Sequence, residues 1–214
     1  MRRTTPVFLI LLACSGAPAS RTPAPGGSLL AQERPLPPPG YGTLRQDDIA
    51  VRIQTANLQL QLLPLDEEVL RLLAPDAYRS LSTLRDSRAS DVAAAMEQAR
   101  VSDPRLMFVT IYGKQPQVRF DPEQLFIASG NVFYRPLAIV PLSPGWSEQR
   151  VSPREQASAI YLFEPAIRLF EPFDVQFSGT ISRQWGQSVR RLEDERARVL
   201  ARWRADNPDS LPPQ

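Results

Sequence analysis

The chain holds few residues able to carry chemistry. Its 214 residues include no histidine and one cysteine, Cys14. Histidine is the usual general base near neutral pH and the commonest metal ligand. Without it, Ser-His-Asp and Cys-His catalysis are excluded. A single cysteine excludes a disulfide within the chain and a thiolate metal cluster. What remains is carboxylates, hydroxyls, arginines and one lysine, Lys114. Glycan hydrolysis needs two carboxylates facing across a cleft. Glu155, Glu164 and Glu171 have the right chemistry, and each equally fits a solvated surface charge. Lys114 sits in Gly113-Lys114-Gln115-Pro116, a turn where exposure is expected. The chain has no G-x-S-x-G, Walker loop, G-x-G-x-x-G or EF-hand spacing. No catalytic residue, cofactor or metal ligand is therefore assigned.

The surroundings of Cys14 give it a different meaning. Met1 to Thr5 is short and positively charged, and Pro6 to Ala13 (PVFLILLA) is an apolar run. At 1.5 Å per residue that run spans about 12 Å, against a hydrocarbon core of roughly 30 Å. It reads as the apolar region of a signal peptide covering residues 1–13, not as a membrane span. Leu11-Leu12-Ala13-Cys14 then resembles the lipobox of bacterial lipoproteins. The resemblance implies cleavage before Cys14, a thioether-linked diacylglycerol on its sulfur and an acyl chain such as palmitate on the new amino terminus. It implies no cofactor and no activity. Two or more buried acyl chains anchor stably where one binds marginally. Ser15, where part of the family carries an inner-membrane retention Asp, leans the expected location toward the outer membrane, facing the periplasm. A conventional signal peptide cut after Ala19 or nearby, where Ala17-Pro18-Ala19 is rich in small residues, is the competing reading.

Residues 14–40 form the lipid-bearing end and a tether. Ser15 to Gly40 holds seven prolines and several glycines, a mixture of polyproline II and flexible coil. Its reach is at most about 80 Å. Leu29-Leu30 is its one apolar spot. The sequence pI near 9.0 overstates the charge, since loss of Arg2 and Arg3 with the signal takes the formal charge from +2 to zero. A neutral mature chain has no global field to steer it onto nucleic acid.

Residues 41–205 are expected to form one folded domain. Alternation from Ile49 to Leu62, with a bend at Ala56-Asn57, predicts a strand pair. Asp66 caps a helix that Pro75 stops. Further helices are expected over Asp76 to about Leu84 and from Ser90-Asp91 to about Ala99. Leu106 to Tyr112 is apolar on both faces, as a central strand is. Val118 to Phe120 and Gln124 to Ala128 read as short strands joined by the turn Asp121-Pro122. Ser129-Gly130-Asn131 signals a hairpin. Val132 to Leu142 reads as one long strand whose Pro136 and Pro141 require edges or bulges. Pro144-Gly145 reads as a turn. Ser158 to Phe163 and Phe173 to Thr180 complete the strands, with Phe173, Val175 and Phe177 inward. The expected class is α+β: an antiparallel β-sandwich, at finer grain immunoglobulin-like, with an N-terminal helical insertion and a C-terminal amphipathic helix. Residues 206–214 form a disordered tail.

Two surfaces stand out for interaction. Phe133, Tyr134, Tyr161 and Phe163 have the chemistry to line a ligand surface, but packing in the core is the expected reading. Trp146 follows a Pro-Gly turn and is expected at a loop tip. The final helix, from about Gly186 to Ala205, carries Trp185, Val189, Leu192, Val199 and Trp203 on one stripe, with Arg196 at the missing step. Arg190–Asp194 and Arg191–Glu195 are spaced to pair on it. The stripe can pack on the sandwich, meet a partner helix or lie on anionic lipid. Trp146, Arg196, Val199 and Trp203 are thus the candidate interaction residues. The reading that follows is a lipid-anchored envelope protein with a non-catalytic binding or scaffolding domain and an envelope protein as partner. The alternative is a carboxylate-dependent envelope glycan hydrolase.

Overall fold

The structure, a computed structural model, describes residues 36–208. Cys14, the apolar run before it, Leu29-Leu30 and the residues from 209 on lie outside the described residues. Pro37 and Pro38, expected in the tether, are buried, and the Pro37 carbonyl accepts a hydrogen bond from Arg71 at 3.2 Å. The packed region therefore begins before residue 41.

The described residues combine six helices and eleven strands in three antiparallel sheets. Alternation builds β1 (Val51–Gln54) and β2 (Leu58–Pro64), paired with Val51 opposite Leu62. Ile49 does not join them. It closes a short helix, α1 (Gln46–Ile49). The doubly apolar segment forms β3 (Arg105–Gly113), which sits at the centre of the five-stranded sheet. Beyond β2, β3 pairs with β9 (Gln156–Phe163), which in turn pairs with the edge strand β7 (Ala138–Pro141), giving the order β1-β2-β3-β9-β7. Met107, Val109 and Ile111 of β3 are buried on one face with Tyr161, Ala159 and Ala157 of β9.

Expected Val132 to Leu142 is not one strand. Pro136 marks the point where the chain leaves one sheet for another. Before it, β6 (Val132–Tyr134) pairs with β5 (Leu125–Ser129) across a turn in which Gly130 and Asn131 hold left-handed backbone, φ 54° and 68°. After it, β7 forms an edge, where Pro141 costs no ladder hydrogen bond. Likewise Phe173 to Thr180 is not one strand. It folds at Ser178-Gly179 into β10 (Asp174–Phe177) and β11 (Thr180–Ser182), in a sheet ordered β11-β10-β5-β6. Phe173, Val175 and Phe177 do point inward and are buried. A two-stranded sheet pairs β4 (Val118–Arg119) with β8 (Arg150–Val151). β4 and β5 do not pair. A 3-10 turn over Pro122–Gln124 separates them.

Between β2 and β3 lie α2 (Glu67–Leu70), α3 (Pro75–Ser87) and α4 (Ala89–Ala99). Asp66 caps α2 by accepting from the Glu68 N–H at 3.0 Å, and its other oxygen pairs with Arg105. Pro75 starts α3, since the first helical position has no use for an N–H. α4 packs against β7.

Glu67 ties α2 to α3. It accepts from Arg71 at 2.7 Å, Arg85 at 2.8 Å and the Tyr78 hydroxyl at 3.0 Å. Burial pushes its carboxyl pKa up, but these hydrogen bonds outweigh burial and hold it below the ordinary value of 4.5. A depressed folded pKa means this stabilisation is complete above about pH 4.5 and is lost as pH falls through the folded value. Glu67→Gln should cost about 1–2 kcal/mol at pH 7. The gap from wild type should narrow at pH 3 in urea unfolding, and a gap independent of pH would contradict this role.

The last helix is α6 (Trp185–Asp206). Trp185, Val189, Leu192 and Val199 are buried, so the stripe packs on the domain. Trp185 stacks on Phe173 with centroids 4.9 Å apart and donates to the Leu169 carbonyl at 3.0 Å. The expected Arg191–Glu195 pair does not form. Glu195 turns inward and is 0% exposed, where it accepts from the Thr43 N–H and hydroxyl, both at 2.9 Å, and from Arg202 at 2.7 Å. Arg191 reaches the Asp48 carbonyl at 3.0 Å instead. Among the described residues no ion pair joins Arg190 to Asp194. Helix spacing brings such residues near each other, but a buried carboxylate takes the donors that desolvation demands.

Candidate functional site: an open polar cleft beside β4 and β8

The residues singled out for interaction do not form a surface together. Trp146 is not at a loop tip. Pro144–Ser147 wind into a short helix, α5, which turns Trp146 inward to 3% exposure. There it packs on Phe120 at 5.1 Å and edge-on to Tyr161 at 5.7 Å, and Tyr161 stacks on Phe163 at 6.1 Å. Burial, then the nearby Asp121 charge, raises the Tyr161 pKa far above its ordinary value, and its hydroxyl donates to the Pro122 carbonyl at 2.8 Å. Val199 is buried. Arg196 is half-buried with its guanidinium 5.8 Å from the Phe170 ring. Trp203 is half-buried near the helix end.

Nor do the three candidate glutamates converge. Glu155 precedes β9 and Glu164 follows it, roughly 30 Å apart along an extended strand. Glu155 accepts from the Ser152 N–H at 3.0 Å. Glu171 pairs with Arg168 at 3.0 Å. Lys114 is exposed as expected and donates to the Thr55 carbonyl at 2.8 Å. Among the described residues no group of His, Cys, Asp and Glu is placed to hold a metal. No described helix is long and apolar enough to cross a membrane.

What the fold does bring together is a set of polar side chains around the β4–β8 ribbon. In this ribbon Val118 lies opposite Val151 and Arg119 opposite Arg150. Val151 is buried, so the arginines take the outer face. The ribbon is pressed close to β3. A side chain at Gly113 would meet the Val151 carbonyl oxygen at 2.7 Å, so only glycine fits there. Beside it opens a cleft of about 780 Å³ lined by Arg119, Phe120, Asp121, Gln124, Glu148, Gln149, Arg150 and Ser178. A second opening of about 410 Å³ shares Glu148 and Arg150 and runs on to Ser152, Glu155 and Gln156.

One wall of the cleft is already wired. The Ser178 hydroxyl bonds to Gln124 Oε1 at 3.0 Å, and the Gln124 amide donates to Asp121 at 3.2 Å. The other Asp121 oxygen accepts from the Glu123 N–H at 2.9 Å, capping the 3-10 turn. The opposite wall is not wired. Among the described residues, the side chains of Arg119, Glu148, Gln149 and Arg150 make no hydrogen bond or ion pair. Gln149 and Ser178 hold left-handed backbone, φ 54° and 46°, a conformation costly for non-glycine residues and concentrated at binding sites.

Sequence reasoning missed this cleft. The outward-inward order of Arg119-Phe120 and Arg150-Val151 is visible, but two-residue strands more than thirty positions apart carry no pairing signal. No family model matches the chain, and no curated protein or solved structure matches it.

Proposed function

We propose that this protein is a lipid-anchored envelope protein, facing the periplasm from the outer membrane, whose folded part is a non-catalytic binding or scaffolding domain. Leu11-Leu12-Ala13-Cys14 supports the anchor. The binding role rests on one observation: four polar side chains without partners among the described residues surround one opening. Exposed polar side chains that converge on one opening with their hydrogen-bonding capacity uncommitted are suited to a polar ligand or partner. The proposed architecture is a two-sheet sandwich with α2–α4 inserted between β2 and β3. Tyr161 supports it by reaching from the five-stranded sheet to Pro122, just before β5. Nothing in the strand order adds the immunoglobulin-like refinement.

Two experiments test this reading. Cys14→Ser should move the protein from the membrane fraction to the soluble fraction, at least about tenfold by immunoblot, because anchoring then lacks every acyl chain. Continued membrane retention contradicts the anchor. For the cleft, a photo-crosslinking residue at Gln149 in intact membranes should give an adduct that the same residue at exposed Gln98, on α4, does not. Equal yields at both positions contradict a role for the cleft. A glycan hydrolase has one observation in its favour, Asp121 and Glu148 lining the same opening. Both Asp121 oxygens already hold the turn, which favours binding over catalysis.

A further inference from the structure

We propose that Arg119 and Arg150 form a seat for a phosphate monoester, and that the cleft takes a phosphorylated saccharide. This names the ligand class of the binding cleft and rests on that reading. The two arginines are direct cross-strand partners on an exposed face. Such positions put their Cβ atoms about 4.5–5.5 Å apart, and like charges placed there are destabilising. Among the described residues neither guanidinium has a carboxylate within ion-pair distance, although 23 Asp and Glu residues are present in the chain. A fold that keeps this repulsion gains from it when a dianion arrives. A phosphate monoester carries about −1.5 to −2 charge near pH 7 and three acceptor oxygens, matching two guanidinium forks. A single carboxylate matches one.

The remaining lining supplies the saccharide half. Asp121 lines the cleft, but its oxygens are engaged by the Glu123 N–H and the Gln124 amide. It therefore opposes an anion less than its position suggests. Glu148 and the Gln149 amide have no partner among the described residues, and such groups accept from and donate to sugar hydroxyls. The cleft carries two positive and two negative side chains, which disfavours a purely anionic ligand and favours one with an anionic end and a hydroxyl-rich body.

The test is calorimetric titration of the full-length, detergent-solubilised protein with glucose 6-phosphate, inorganic phosphate and glucose. Glucose 6-phosphate should bind, and Arg119→Gln with Arg150→Gln should weaken it at least about tenfold. Glu148→Gln should weaken glucose 6-phosphate but not inorganic phosphate. The arginine double variant should melt no lower than wild type, since it removes a like-charge pair. Loss of binding without loss of stability is a result that a structural role for the arginines would not give. Unchanged glucose 6-phosphate binding in the double variant, or no binding to the wild type at millimolar ligand, overturns the proposal. A Gln149 adduct in membranes combined with no sugar-phosphate binding would sink this inference and leave the binding-domain reading standing.

Discussion

Val199→Asp is expected to lower the melting temperature of the domain by about 10 °C or to abolish folding. Val199 is 0% exposed on the inner side of α6. A carboxylate placed there loses its water and must either ionise without a partner or protonate. Buried unpaired charges and core disruptions of this kind cost about 3–5 kcal/mol. In a domain of this size each kcal/mol shifts the melting temperature by about 2–4 °C. Thermal unfolding followed by circular dichroism checks the prediction, with Leu200→Asp, one position round the helix and half-buried, as the milder comparison. A melting temperature within about 2 °C of wild type would mean that α6 does not hold the domain together and that its stripe is free for another surface.

Trp146→Ala should be as damaging. Trp146 fills the space between Phe120 and Tyr161, and truncation leaves a cavity flanked by two rings that lose their contacts. Large aromatic truncations in cores cost about 3–5 kcal/mol, and edge-on ring pairs add about 0.5–1.5 kcal/mol beyond buried area. Trp146→Phe keeps an aromatic ring in place and should recover more than half of the loss in urea unfolding. Phe120 also lines the polar cleft, so Trp146→Ala should blunt crosslinking from Gln149 as well. If Trp146→Ala unfolds at the wild-type urea midpoint, the ring is not the packing centre described above.

These two predictions mark where local reading and tertiary contact part. Proline next to glycine before Trp146 suggests an exposed turn, since Pro-Gly is common turn chemistry. The chain instead winds once into α5, and Gly145 allows β8 to pass close: a side chain there would meet the Arg150 carbonyl at 3.1 Å. That approach turns Trp146 onto Phe120. Glu195 shows the same limit. Its spacing from Arg191 is right for an exposed pair, yet a contact 152 residues away with Thr43 draws it inside.

By itself, the sequence determined the elements whose signals are local. The central place of β3 follows from its two apolar faces. The Asp66 cap, the Gly130-Asn131 hairpin, the inward Val175 and Phe177 of β10 and the span of α6 follow from short-range rules of period, capping and turn chemistry. The absence of histidine excludes Ser-His-Asp and Cys-His catalysis. Only the tertiary structure decided what sits together. It placed β6 and β7 in different sheets, paired β4 with β8, and set Arg119 against Arg150 at the mouth of a cleft. The physical reason is range. Helix and turn preferences are fixed within a few residues, whereas strand partners and unsatisfied polar groups depend on segments that meet only after the core has formed.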